Sequence, residues 1–163
     1  MASGLFFDPL VALRAAPLIS TTCSLLYAWD QHFFLGLLNR PENRATSKPL
    51  LQSYFTTFFH RGLPFVVSLV AVSTWTGVAN LYIQRPALQA RGSVWWYVSG
   101  TALAVGHLLF VPWIAPSCQT IMEGTDVNRS LDEWLTLNSR RMLSVDLAAW
   151  AAFVVAAVKT LRV

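Results

Sequence analysis

The sequence predicts an all-α integral membrane protein, a four-helix transmembrane bundle in a single domain over residues 1–163, with a short interfacial helix between the first and second spans. Three observations lead there. Apolar residues make up 55% of the chain and charged residues 12%, about half the charge of an ordinary soluble domain. Mean hydropathy is +0.48. The apolar excess is gathered into four runs, near 15–38, 63–83, 94–115 and 142–158, each long enough to cross or nearly cross a bilayer.

The first run, Ala15 to Leu38, carries Asp30 and His32 close to its exit. Ahead of it Asp8 precedes Arg14, no basic segment comes first and no small-x-small site closes the apolar stretch, so this span is expected to be retained rather than cleaved as a signal. A loop from 39 to 62 follows, with Pro41 and Pro49. Within it Leu51, Tyr54, Phe55, Phe58 and Phe59 keep helical spacing, which predicts the interfacial helix. Such an aromatic stripe more often packs or meets lipid headgroups than binds substrate.

The second span, Leu63 to Ile83, has no charge in 21 residues, and Pro64 suits its first turn. QRPALQARGS then reads as a short polar turn. The third span, Val94 to Ala115, opens on the aromatic belt WWY and contains His107, and its Ala102 and Gly106 form a small-xxx-small pair. Residues 116–141 read as a second long loop, in which Asn128, Arg129 and Ser130 form an N-x-S sequon. The fourth span, Met142 to Val158, carries Ala148, Ala152 and Ala156 as a close-packing ridge and is stopped by Lys159 and Arg162. No repeat or low-complexity segment interrupts the chain.

Four spans place both termini and the short turn on one side and the two long loops on the other. Lys and Arg number five in about 29 residues on the terminal side and seven in about 50 on the other, a slight bias towards cytosolic termini. An endomembrane location, such as the endoplasmic reticulum, is expected. The net charge of +4 is spread over loops and termini, which gives no nucleic-acid surface. Cys23 and Cys118 show no metal or redox spacing. They should lie roughly 20 Å apart along the helices, against the 7 Å that a disulfide allows, so two free thiols are predicted.

Polar chemistry concentrates in WLTLNSRRMLSVD. Trp134, Asn138, Arg141 and Val145 follow at i, i+4, i+7 and i+11, so they share one helical face, with Asp146 beside them. Threading the spans puts Asp30, His32, His60, His107, Asn138, Arg141 and Asp146 in the same half of the bilayer, where ionisable groups are costly and functional by default. Three readings stand. His60, His107 or His32, with Asp30 or Asp146, would form a general base and proton relay for a lipophilic substrate, and Arg141 and Asn138 would stabilise an anionic oxygen. Alternatively His32, His60 and His107 would hold one Cu, Fe or Zn ion. In the third, Arg141 pairs with Asp146 or Asp30, and the histidines are structural glue.

The succession Asn128, Arg129, Leu131, Trp134, Asn138 and Arg141, together with YFTTFFHRGLP entering the second span and TIMEGTDVNRSL after the third, resembles the anthrone oxygenase-like family. These are small four-span membrane proteins of fungal aromatic polyketide pathways, and the likeness covers most of the chain from about residue 50 onward. It implies a membrane-embedded oxidative enzyme of secondary metabolism, acting on a lipophilic aromatic or polyketide-derived substrate with molecular oxygen as co-substrate. Trp134 and Asn128 would join Arg141 and Asn138 around that substrate. No organic cofactor is expected, and no Gly-rich dinucleotide fingerprint occurs. Cyclisation or coupling is the neighbouring chemistry of such pathways. From a different class comes a non-catalytic membrane adaptor for pathway enzymes, or a homo-oligomer built through the Ala and Gly ridges.

Overall fold

The computed structural model describes residues 8–161. Seven α-helices follow one another: α1 Pro9–Leu38, α2 Arg44–Ile83, α3 Arg85–Ala90, α4 Val94–Gly106, α5 Val111–Glu123, α6 Val127–Arg141 and α7 Leu147–Leu161. A 3-10 turn, His107–Phe110, joins α4 to α5, and a π turn, Met142–Asp146, joins α6 to α7. The described residues therefore hold four helical rods long and apolar enough to cross a membrane: Pro9–Leu38, Arg44–Ile83, Val94–Glu123 and Val127–Thr160. They close into a ring, α1 on α2, α2 on α4, α4 on α7 and α7 on α1, and α5 packs on α6 at one end.

The rods are longer than the hydropathy pattern predicts. No separate interfacial helix exists: residues 44–83 run as one helix of 40 residues through Pro49 and Pro64. At 1.5 Å per residue it is about 60 Å long, twice a bilayer's hydrocarbon core, so only part of it can lie in lipid. The expected loop at 116–141 is likewise helical except around Gly124, whose φ of 80° ends α5, and Asp126, whose φ of 45° starts α6. Polar faces on α2 and α6 lowered the hydropathy, while tertiary packing supplies the stability that a short isolated helix lacks. Part of the predicted polar turn is the short α3. Arg162, expected to stop the last span, lies outside the described residues.

Local chemistry fixes the ends. Asp8 caps α1 by accepting from the Leu10 and Val11 amides at 2.8 and 3.4 Å, with Pro9 in the first turn. At the other end of α1 the buried Asn39 donates to the Asn128 carbonyl at 2.9 Å and to Asp132 Oδ1 at 2.7 Å, and accepts from Asn128 Nδ2 at 2.8 Å. Arg44 completes this clasp by bonding both Asp132 and the Asn39 carbonyl.

Two apolar cores sit at different heights. One gathers Leu35, Leu51, Phe55, Cys118, Ile121, Val127, Leu131 and Trp134 near the α5–α6 end; the other gathers Leu88, Tyr97, Phe153 and Ala156 near the opposite end. The aromatic stripe thus splits: Leu51 and Phe55 are core, and Tyr54 is exposed. The buried alanine ridge of α7 runs through Ala149, Ala152 and Ala156, with Ala148 exposed, and on α4 Gly106 is buried while Ala102 is exposed. Both cysteines are free, Cys23 exposed and Cys118 buried, as the spacing predicts.

Gly62 of α2 leaves room for the Tyr27 side chain of α1, because a β-carbon there would stand 2.5 Å from Tyr27 Oη but 3.6 Å from its Cζ. Gly62→Ala is expected to cost about 1–3 kcal/mol through overpacking. In a Tyr27→Phe background, where the clashing oxygen is gone, the same change should cost close to nothing. Thermal unfolding of the four proteins in detergent micelles checks this, and equal costs in both backgrounds would refute the contact.

Candidate functional site

Both helical irregularities lie between the two cores, and each carries a site residue. Arg141 and Asp146 are five apart, which on a regular α-helix would aim them about 140° apart. The π turn closes i→i+5 and brings them to one side, a distortion that often marks functional positions. It also moves the inward register by one residue, so that Asp146 rather than Val145 is buried.

The result is a continuous hydrogen-bonded chain. His107 Nδ1 lies 2.8 Å from Asp146 Oδ1, and Arg141 Nε donates to Asp146 Oδ2 at 3.2 Å. Arg141 Nη2 donates to Asn138 Oδ1 at 2.7 Å, and Asn138 Nδ2 donates to the Ala28 carbonyl of α1 at 3.2 Å. All four side chains are buried, with exposures of 6% for His107, 8% for Asp146 and Arg141, and 0% for Asn138. One carboxylate thus receives a cation on one oxygen and an imidazole on the other, as a buried charge requires. A carboxylate can only accept, so the His107 Nδ1 carries a proton, and in the neutral ring the lone pair is then on Nε2.

Against this chain lies a cavity of about 140 Å³. Its polar lining comes from His107, Arg141 and Gln31, and its walls from Phe58, Phe59, Val66, Val111, Ile114, Cys118 and Trp134. Trp134 is fixed edge-on against Phe55, with ring centroids 5.9 Å apart. A more open cleft, lined by Tyr27, Tyr54, Thr57, Arg61 and Phe65, shares Phe58 and Gly62 with the cavity, so those two residues stand between the inner space and the outer face of α1 and α2. On their other side His107 and Asp146 border a small niche with the hydroxyl residues Thr21, Ser24 and Ser73.

The structure joins only part of the residue set taken from the sequence. His107, Asp146, Arg141 and Asn138 are brought together, and Trp134 lines the cavity. Asn138 does not line it: both ends of its amide are occupied, so it holds Arg141 in place rather than facing a ligand. His60 is exposed on α2 and its Nδ1 bonds the Thr56 carbonyl of its own helix at 2.7 Å. His32 is half-buried, 3.1 Å from Ser139 Oγ, and Asp30 is exposed. Asn128 belongs to the clasp at the bundle end. The three imidazoles therefore have separate partners, and no group of three or more His, Cys, Asp or Glu side chains able to hold a metal occurs among the described residues. Predicted depth had grouped them, but depth carries no information about which way a side chain points.

Gln31 was missed. Its neighbours Asp30 and His32 drew attention as ionisable groups, yet Gln31 is the residue of that trio that reaches the cavity. The spacing Ala28, Gln31, Leu35 marks the buried stripe of α1 and would have found it.

No family model matches the chain, and no solved structure does. It is 31% identical over 156 residues to the epoxidase pydX of an Acremonium species, covering 94% of this chain and 96% of that one. It is 32% identical over 152 residues to the epoxidase gkaX of Penicillium citrinum, covering 91% and 94%. The probable epoxidase scpX of Mollisia scopiformis is 29% identical over 153 residues, covering 91% and 96%.

Proposed function

The chain belongs to the fungal family that includes the epoxidases pydX and gkaX, and from that premise we propose that it is a membrane-embedded oxidative enzyme of secondary metabolism whose substrate occupies the cavity beside His107 and Arg141. The observation that carries this reading is the buried chain from His107 through Asp146 and Arg141 to Asn138, set against a cavity with otherwise mainly apolar walls. Relatives named epoxidases favour oxygen delivery to an electron-rich double bond. The likeness to anthrone oxygenases favours an activated phenol. Both fit a lipophilic unsaturated substrate with molecular oxygen as co-substrate. Oxidation of an activated CH2 to a carbonyl balances with oxygen alone, the second oxygen atom leaving as water with the two hydrogens. Epoxidation also draws two electrons and two protons from a separate reductant to form that water.

Each residue has one task in this reading. His107 takes a proton at Nε2 from a substrate hydroxyl or activated carbon, and Asp146 stabilises the imidazolium that results. Arg141, held at Nε and Nη2, presents its remaining N–H groups to the oxygen that becomes anionic. Phe58, Phe59 and Trp134 hold the flat apolar body and keep water out. Asp146 and Asn138 position these groups without touching substrate. A lipophilic molecule enters from the bilayer through the cleft of Tyr27 and Phe65, past Phe58 and Gly62.

Deleting the gene in its host and comparing extracts by mass spectrometry under ¹⁸O₂ tests the assignment. A product should disappear, its precursor should accumulate with less oxygen, and the missing oxygen should be labelled in the wild type. Complementation with Arg141→Ala should fail to restore the product. Full restoration by that variant would point instead to a non-catalytic adaptor.

A further inference from the structure

The buried amides of this protein are nearly all spoken for. Asn39, Asn80, Gln84 and Asn138 each donate from their side-chain nitrogen to an oxygen of the protein. Gln31 differs. It is 8% exposed, it lines the cavity, and its carboxamide has no hydrogen bond among the described residues. The carboxamide is not sealed in, since the buried side-chain atoms without a partner among the described residues are Thr74 Oγ1 and Thr101 Oγ1, so its donor and acceptor stay open to whatever fills the cavity.

The rest of the wall says what kind of group would meet it. Phe58, Phe59, Val66, Val111 and Ile114 exclude polar ligands, and the charge on Arg141 is already balanced by Asp146. A carboxamide offers a donor and an acceptor but no charge. We propose that Gln31 is a substrate-binding residue that hydrogen-bonds a neutral oxygen function, a hydroxyl or carbonyl, on an otherwise apolar substrate. The substrate class is then an oxygen-bearing unsaturated molecule and not a bare hydrocarbon. This assignment rests on the cavity being the substrate site, and it makes Gln31 the residue that sets the substrate's orientation relative to His107.

A pair of isosteric probes separates the two ideas. Cavities near 150 Å³ take up a benzene ring, so p-cresol and p-xylene, which differ by a hydroxyl in place of a methyl, are of suitable size. Binding is followed by saturation-transfer NMR on the full chain in detergent micelles, with protein-free micelles as the blank. The wild type should prefer p-cresol, Gln31→Met should lose about fivefold to tenfold of that preference, and Gln31→Asn should keep part of it. Thermal unfolding confirms that each variant is folded. A Gln31→Met protein that is folded and keeps the full preference overturns the role of Gln31 alone. A wild type that binds neither probe overturns the cavity as the site, and the inference with it.

Discussion

Changing His107 to glutamine is expected to lower product formation by about 10²- to 10⁴-fold, the usual contribution of a positioned general base. Glutamine can still donate to Asp146 Oδ1, so the partner 2.8 Å away in the native protein keeps a hydrogen bond. What disappears is the lone pair on the far side of the ring. The substitution therefore removes proton transfer while sparing the fold, and the rate must be expressed per folded protein, judged by thermal unfolding. A His107→Gly variant should regain part of its turnover with added imidazole. Activity within tenfold of wild type in His107→Gln would remove the base from the mechanism.

Asp146→Ala should give the largest loss of stability, about 3–5 kcal/mol, because it strips the partner from a guanidinium that is only 8% exposed. The reverse half of the argument is as informative. Adding Arg141→Met to Asp146→Ala removes the stranded cation, and the double variant should recover most of the loss while remaining inactive. Denaturant unfolding of the single and double variants in micelles measures the coupling directly. A cost below 1 kcal/mol for Asp146→Ala would mean that solvent reaches the pair and that the buried network does not operate as described.

Much of this architecture could be read from the chain, for reasons that differ by element. Leu63–Ile83 is uncharged, and such a run has few fates other than a membrane-length helix. The face shared by Trp134, Asn138 and Arg141 was visible because α6 is regular there. Asp146 was half visible: its place follows from a π turn, and MLSVD carries no residue that announces one. The stretch VNRSLDEWLTLNSRR read as a loop because hydropathy averages over a polar face, although its apolar residues pack into the core. His60 and His107 looked equivalent in sequence, each a lone imidazole near a predicted span. Only helix rotation separates the exposed one from the buried one, and rotation across a bundle is decided by packing of distant residues such as Phe153 on Gly100.

The π turn has a reach beyond the groups it aligns. A π segment carries a surplus residue, and everything after it is clocked forward by roughly 100° about the helix axis. Phe153 meets Gly100, and Thr160 lies beneath Tyr97, only in that phase. Deleting Ser144 to restore an ordinary α-helix would thus swing the whole of α7 out of mesh with α4. Shortening the seam between α6 and α7 by one residue would therefore undo the distant core of Tyr97 and Phe153 as well as the alignment of Arg141 with Asp146.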